Sequence, residues 1–280
     1  MPLIATDLDG TLLMTGSSTP HPDAVAAVHQ ALAAGIPVVF ATGRAPQDVV
    51  DIANEVGHRW WAVCCDGTVL VDLNTLEVTT THTLSESVMR DVVERLRDQF
   101  PEVKFLVDRV HLGPVAQGEY GILFEEGFKA PWAWALNGAR EVGDIMDFIA
   151  EEAIVKIAAY VPVESSDDAI FHQMKATVED LVTVVRINSS ETYIDMCKLG
   201  VSKATGVNEI AELHGISRES VFAVGDMHND LELLQWAGFS FAVANATSAL
   251  HDIADVIVPS NDEGGVRHVI DAAMDYLRQP

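Results

Sequence analysis

Leu3-Ile4-Ala5-Thr6-Asp7-Leu8-Asp9-Gly10-Thr11 opens the chain with a short apolar run that ends in two carboxylates, one residue apart, and then a glycine. A short apolar run bounded by turn residues reads as a buried strand, and in a strand the side chains at i and i+2 share one face. Asp7 and Asp9 therefore leave the strand together, at the carboxyl end where open α/β sheets bind their ligands. Two anions held this close need a cation between them. Gly10 lets the backbone turn sharply away, and Thr11 resumes a polar rim before Leu12 and Leu13. The arrangement suits an aspartate that accepts a phosphoryl group, with an acid/base partner beside it. Taken alone, it equally fits a capped turn.

The segments that follow alternate between helix and strand. Residues 22–34 place Val25, Val28, His29 and Leu32 at helical spacing and stop at Gly35. The run 36–41 is a second apolar strand, followed by Thr42-Gly43-Arg44 and a helix that opens near Pro46. A third strand, 61–65, leads into Asp66-Gly67 and an extended 69–72. After residue 198 the same order returns: a helix over 202–213, a strand over 221–224 ending at Gly225-Asp226, a helix over 230–236, strands at 239–243 and 256–258, and a closing helix that reaches Leu277. Alternation of this kind predicts parallel strands in a doubly wound sheet. The middle of the chain, 84–194, has a different texture, with helices at 86–99 and 167–181 and strands near 103–107, 120–124, 154–161 and 182–187. These segments predict an antiparallel sheet covered on one side, inserted into the first domain through hinges at 80–84 and 189–193.

The composition narrows the chemistry. A formal net charge of −25 over 280 residues argues against nucleic acid or an anionic membrane as partner, since both would be repelled. Three cysteines, two of them adjacent as Cys64-Cys65 in an apolar run, offer neither a disulfide framework nor metal-ligand spacing, and read as small core residues in a reducing compartment. No basic leader precedes Leu3, and no apolar run approaches the ~20 residues that span a bilayer, so the expectation is a cytoplasmic protein. An anionic substrate needs a local cation to enter so negative a protein.

Four pieces fall at the ends of the expected parallel strands: Asp7 and Asp9, Thr42-Gly43-Arg44, Lys203 at a helix start, and Gly225-Asp226-Met227-His228-Asn229-Asp230. Each has a plain structural alternative, as a turn, a solvated lysine or a helix cap. Together they supply a cationic side chain, a hydroxyl and backbone N–H groups for an anion, and hard oxygen ligands for magnesium.

In these motifs and their order the chain resembles the haloacid dehalogenase superfamily phosphatases, in particular the Cof-type hydrolases with a large cap. Asp7-Leu8-Asp9-Gly10-Thr11, Thr42-Gly43, Lys203 in Val201-Ser202-Lys203, and Gly225-Asp226 with Asn229-Asp230 are similar to the four family motifs, and Ala244-Asn245-Ala246 with Asn261-Asp262-Glu263-Gly264-Gly265-Val266 to its closing segments. The resemblance implies a Rossmann-like, doubly wound α/β core over 1–83 and 195–280, with an inserted α+β cap over 84–194. It implies a Mg²⁺-dependent phosphatase acting on a small-molecule phosphate ester, with a sugar phosphate as the default substrate. Asp7 would be the nucleophile that forms an aspartyl-phosphate, and Asp9 the acid and then the base. Magnesium would be held by Asp7, the Asp9 carbonyl and Asp226, with Asp230 behind them. Lys203, the Thr42 hydroxyl, the Gly43 and Leu8 backbones and the Asn229 amide would bind the phosphoryl group.

Some positions are left open by the resemblance. Asp66 stands where the family usually has Asn; the extra carboxylate either alters the pocket rim or caps its turn, and the cap is the expectation. His228 is expected at the rim, and Arg44 either reaches substrate or pairs with an acid. Trp132, Trp134, Tyr120 and His111 are candidates to face the substrate, though aromatic residues of this kind are more often core. A phosphomutase is the alternative activity, disfavoured because the bases of 84–194 are scattered, and a non-catalytic phosphate-binding protein is disfavoured because Asp7 and Asp9 are both present.

Overall fold

Burial on both faces is what makes the first strand parallel and central: every residue of β1 (Leu3–Thr6) is inaccessible to solvent, so helices must cover it above and below. The computed structural model describes residues 1–115, 121–129, 139–150, 152–162, 168–186 and 193–278. The chain forms two compact units, Met1–Glu77 with Ser202–Pro280, and Val78–Val201.

In the first unit, β1 is followed by α1 (Pro22–Ala33), β2 (Val38–Ala41), α2 (Pro46–Val56), β3 (Trp61–Cys64) and β4 (Val69–Asp72), and β5 (Glu77–Thr81) carries the chain out. Proline sits in the first turn of both helices, and Gly57 ends α2 in the left-handed conformation. The second unit runs through α3 (Glu86–Gln99), β6 (Lys104–Arg109), β7 (Gly113–Pro114), β8 (Gly121–Phe124), β9 (Ala139–Val142), α4 (Ile145–Phe148), β10 (Ile154–Tyr160), α5 (Asp168–Val178), β11 (Val182–Val185) and β12 (Tyr193–Lys198). The first unit is completed by α6 (Lys203–Leu213), β13 (Val221–Gly225), α7 (Leu231–Trp236), β14 (Phe239–Val243), α8 (Ser248–His251), β15 (Val256–Val258) and α9 (Val266–Leu277).

The first unit's strands lie in the order β15-β14-β13-β1-β2-β3-β4, parallel as far as β3, with β4 turning back antiparallel. On one face Leu3, Ala5, Val39, Ala41 and Val63 pack with Val207, Ile210 and Ala211 of α6 and Leu233 and Leu234 of α7. Gly206 allows α6 to lie this close, since a β-carbon there would stand 2.6 Å from Val63. The other face is covered by α1 and α9. Thr6 pairs with Val224 on one side and Phe40 on the other, so β13, β1 and β2 end level and their loops emerge together. This is the doubly wound α/β core that the sequence predicts.

The second unit holds a sheet in the order β11-β12-β10-β6-β8-β9, antiparallel except for β8 and β9. Val92, Val93 and Leu96 of α3 and Phe171, Met174 and Val178 of α5 cover one face through Phe105, Val107, Ile157, Ile194 and Met196. The α+β texture expected for the middle of the chain is therefore present. Two of its edges differ from expectation. Thr80 and Thr81, read as hinge, belong to β5. Tyr193, read as the end of a hinge, begins β12, whose pairing with β10 and β11 carries the unit on to Val201 rather than 194. Asp195 is the reason β12 is hard to read: a fully buried carboxylate in mid-strand breaks the apolar pattern. Tyr120, Trp132 and Trp134 lie outside the described residues; His111 falls in the loop between β6 and β7.

Candidate active site

The turn after β1 sets the geometry. Gly10 takes φ +75°, and a β-carbon there would stand 2.4 Å from an oxygen of Asp226, so glycine is what lets the two loops close on each other. Thr11 Oγ1 donates to Asp226 Oδ1 at 3.0 Å, and Asn245 Nδ2 donates to the Gly10 carbonyl at 2.7 Å. Asn261 Nδ2 donates to the Leu13 carbonyl at 2.8 Å, so the two asparagines of the closing segments hold the outgoing chain.

Lys203, the first residue of α6, is 1% exposed and stands between two carboxylates. Its Nζ donates to Asp7 Oδ1 and Asp230 Oδ1, both at 2.7 Å. The other oxygen of Asp230 accepts from the backbone N–H groups of Asp226 and Met227, at 3.1 and 3.2 Å. Asp230 is thus engaged at both oxygens, which suits a residue that orients Lys203 and the turn after β13. Ligand oxygens of Asp7, Asp226 and Asp230 lie within 4.8 Å of one another, the three-carboxylate group that could hold a metal among the described residues.

The charges are strongly perturbed. Burial pushes the Asp7 carboxyl well above the usual carboxylate range, opposed by Lys203 and reinforced by Asp230, Asp226 and Asp9. Burial, and then the neighbouring Asp230, pushes Asp226 up to about 7, against the pull of Lys203 and the Thr11 hydroxyl. Burial alone would lower the Lys203 ammonium, but Asp230, Asp7 and Asp66 more than reverse it and hold it charged. Anions in excess of cations, buried at the ends of strands, are a set that could hold a dication.

Asp9 is placed differently. It is half exposed, and Arg44 binds both its oxygens, Nε to Oδ2 at 2.7 Å and Nη2 to Oδ1 at 2.6 Å. Of the two roles open to Arg44, the structure shows pairing with an acid, in the bidentate form that arginine favours. Leu8 is fully buried between the two aspartates. Thr42 and Gly43 follow β2, with the Thr42 hydroxyl accepting from the Arg44 N–H at 3.2 Å. Asn229 lies in the turn after β13 and donates from Nδ2 to Asp66 Oδ1 at 2.9 Å. His228, in the same turn, is half-buried.

Asp66 departs from expectation. It is 2% exposed, and its side chain makes this bond to Asn229 instead of capping its own turn. The two loops face each other across the strand ends, a juxtaposition that sequence spacing does not carry. Sequence reasoning also missed the Thr11 bridge to Asp226, for which the signal was present: a hydroxyl two residues beyond Asp9.

A family model described as haloacid dehalogenase-like hydrolase matches residues 4–270. The chain is 28% identical over 275 residues to the 5-amino-6-(5-phospho-D-ribitylamino)uracil phosphatase YbjI of Escherichia coli, covering 98% of this chain and 96% of that protein. It is 28% identical over 299 residues to the phosphatase YwpJ of Bacillus subtilis, covering 96% and 99%. Among solved structures, the sugar phosphatase BT4131 superposes with a TM-score of 0.78 at 16% identity, over 97% of this chain and 98% of the other, a likeness of fold.

Proposed function

We propose, from the premise that this chain belongs to the haloacid dehalogenase-like hydrolase family, that it hydrolyses a small phosphomonoester through a phosphoaspartate on Asp7. The observation that carries this reading is the buried Asp7 carboxylate, one oxygen held by Lys203 at 2.7 Å and the cluster of Asp226 and Asp230 beside it. Lys203 fixes Oδ1 and leaves Oδ2 to attack phosphorus. The bond from phosphorus to the substrate oxygen breaks as the bond to Asp7 forms, and Asp9 gives a proton to the departing alkoxide. Water then attacks the phosphoaspartate, Asp9 takes its proton, and Asp7 is released with inorganic phosphate. Asp9 enters this sequence only when it gives up its pairing with Arg44. Thr42, the Gly43 and Leu8 backbones, Asn229 and Lys203 orient the phosphoryl oxygens.

The donor set fits Mg²⁺: three buried carboxylates, two of them pushed up by burial and mutual repulsion, are what a hard dication relieves. Held by Asp7, Asp226 and the Asp9 carbonyl, it would neutralise charge gathering between nucleophile and phosphoryl group. Asp230 acts on this set through Lys203.

We assign the second unit the role of a cap that admits the leaving group, with a sugar or polyol phosphate as the substrate class. The E. coli relative is named for a phosphate carried on a ribityl chain, which supports a polyhydroxylated leaving group. The strongly acidic chain favours a neutral or cationic leaving group over a second phosphate or a nucleotide. Its three free, buried cysteines suit a reducing compartment, which supports the cytoplasm as the place of action. No helix among the described residues is long and apolar enough to cross a membrane.

The test is release of inorganic phosphate from a panel of sugar and polyol phosphates, with and without Mg²⁺, beside Asp7→Asn. Turnover should need the metal and fall by about three orders of magnitude or more in the variant, in keeping with loss of a nucleophile. Near-native turnover in a folded Asp7→Asn protein would sink the mechanism.

A further inference from the structure

The chain leaves β3 through a left-handed turn, with Cys65, Asp66 and Gly67 at φ 48°, 57° and 109°. Two consecutive non-glycine residues in this region are costly, and such strain persists only where the surroundings impose it. Here they do. The Cys65 N–H donates to the Arg44 carbonyl at 2.9 Å and the Asp66 N–H to the Thr42 carbonyl at 3.1 Å. Gly67 lies against the start of α6, where a β-carbon would stand 2.1 Å from the Ser202 carbonyl oxygen. One turn thus ties together the loop carrying Thr42 and Gly43, the helix start carrying Lys203 and, through the Asp66 side chain, Asn229. These are the groups assigned to the phosphoryl oxygens.

The turn delivers a carboxylate into the wall of that pocket. Both oxygens of Asp66 stand 3.1 Å from where a β-carbon of Gly43 would be, and Oδ1 is held by Asn229. Oδ2 is buried with no hydrogen-bond partner among the described residues. A buried carboxylate oxygen left this way is destabilising, and a neutral side chain of the same shape would serve the turn without that cost. Left-handed φ is also adopted more readily by Asn than by Asp. Neither packing nor backbone conformation explains the negative charge. Its electrostatic reach does: it helps hold Lys203 charged, and it opposes any anion bound between Gly43, Asn229 and Lys203.

We propose that Asp66 is a positioning and release residue, whose buried charge keeps the phosphoryl pocket from retaining the inorganic phosphate dianion while its Oδ1 orients the Asn229 amide toward the site. The inference rests on the phosphatase reading of that site and adds to it a determinant of product release. The charge weakens binding of free phosphate, whereas the esterified substrate keeps the contacts of its leaving group.

Asp66→Asn tests it, because asparagine keeps the left-handed turn and an acceptor for Asn229 and removes only the charge. Calorimetric titration of inorganic phosphate in the presence of Mg²⁺ should show about tenfold tighter binding to Asp66→Asn than to the parent, with deeper product inhibition. A purely structural role predicts weaker binding instead. If Asp66→Asn does not fold, the charge is tested where the Asn229 contact is already gone: Asp66→Gly made on top of Asn229→Ala, with glycine equally suited to the left-handed turn, should bind phosphate more tightly than Asn229→Ala alone. Unchanged or weaker binding in the folded variant overturns the inference and leaves the phosphatase reading intact. A parent protein that releases no phosphate from any ester of the panel with Mg²⁺ present overturns the phosphatase reading and this inference with it.

Discussion

Two lysines in this molecule are buried between pairs of aspartates, and their settings differ. Lys203 stands 2.7 Å from both Asp7 and Asp230, and Lys156 stands 3.2 Å from both Asp108 and Asp195. Lys156 and its partners belong to paired strands, with Lys156 directly opposite Asp108 and the Tyr193 hydroxyl donating to Asp195. Burial, with Asp195 next, pushes the Tyr193 phenol well above its usual range, so it stays a donor. Every group there is fixed by a strand ladder. Around Lys203 the carboxylates come from loops after β1 and β13, and a further carboxylate, Asp226, adds negative charge that the lysine does not offset. The two arrangements share a buried lysine between two aspartates and differ in where they sit and in how much charge is left over. Position at the strand ends, with charge to spare, separates the one from the other.

Replacing each lysine by methionine breaks the comparison most sharply. Removing one partner of a buried ion cluster costs about 3–5 kcal/mol, because charges are left behind unpaired. Lys156→Met should show that loss in urea unfolding with or without Mg²⁺. Lys203→Met should show a similar loss without metal and recover part of it when Mg²⁺ is added, since a cation held by Asp7 and Asp226 would offset charge that the ammonium leaves unpaired on Asp7 and Asp230. Equal recovery in both variants, or in neither, would show that the two clusters do not differ in kind.

The same contrast explains what could be read from the sequence. Asp7, Asp9, Thr42, Lys203 and Asp226 announce themselves because each follows a strand or opens a helix, and the strand periods locate those points. Arg44 and Asp66 were visible as residues, but their partners were not. The pairing of Arg44 with Asp9 and of Asp66 with Asn229 joins loops far apart in sequence, and only the neighbouring ends of β13, β1, β2 and β3 in one sheet bring them together. The Lys156 cluster was invisible for the opposite reason. Charged residues inside strands read as solvent-facing, and Asp195 concealed β12 altogether.

Asp226, the carboxylate without a counterpart around Lys156, sharpens the comparison through pH. Its carboxyl is held up to about 7, so between the ordinary carboxylate range and pH 7 the metal-free folded protein carries a proton that the unfolded chain has lost. That term favours the fold at low pH and fades as pH rises through 7. Metal binding must displace this proton. The gain in thermal midpoint on adding Mg²⁺ should therefore grow as pH rises from 6 to 8, and Asp226→Asn should flatten the dependence. A pH-independent gain in the parent would mean that Asp226 carries no proton for the metal to displace.

A third buried ionisable group, His58, has no carboxylate beside it and shows what burial does alone. It is fully inaccessible, with its ring centroid 4.4 Å from that of Phe40 and Nε2 3.4 Å from the Trp61 carbonyl, and Nδ1 has no partner among the described residues. Burial, with a smaller contribution from Arg59 and against the Trp61 carbonyl, lowers it to about 4. The unfolded chain takes up a proton near 6.5 and the folded chain only near 4, so the unfolded state binds more protons throughout that window. Stability attributable to His58 is complete above 6.5 and falls as pH drops toward 4, by roughly 3 kcal/mol in all. His58→Gln removes the titration, so the difference in unfolding free energy between parent and variant should shift against the parent between pH 7 and pH 4.5. A constant difference across that range would mean that His58 takes up its proton without leaving the core, and that burial without a counter-charge is less costly here than its surroundings imply.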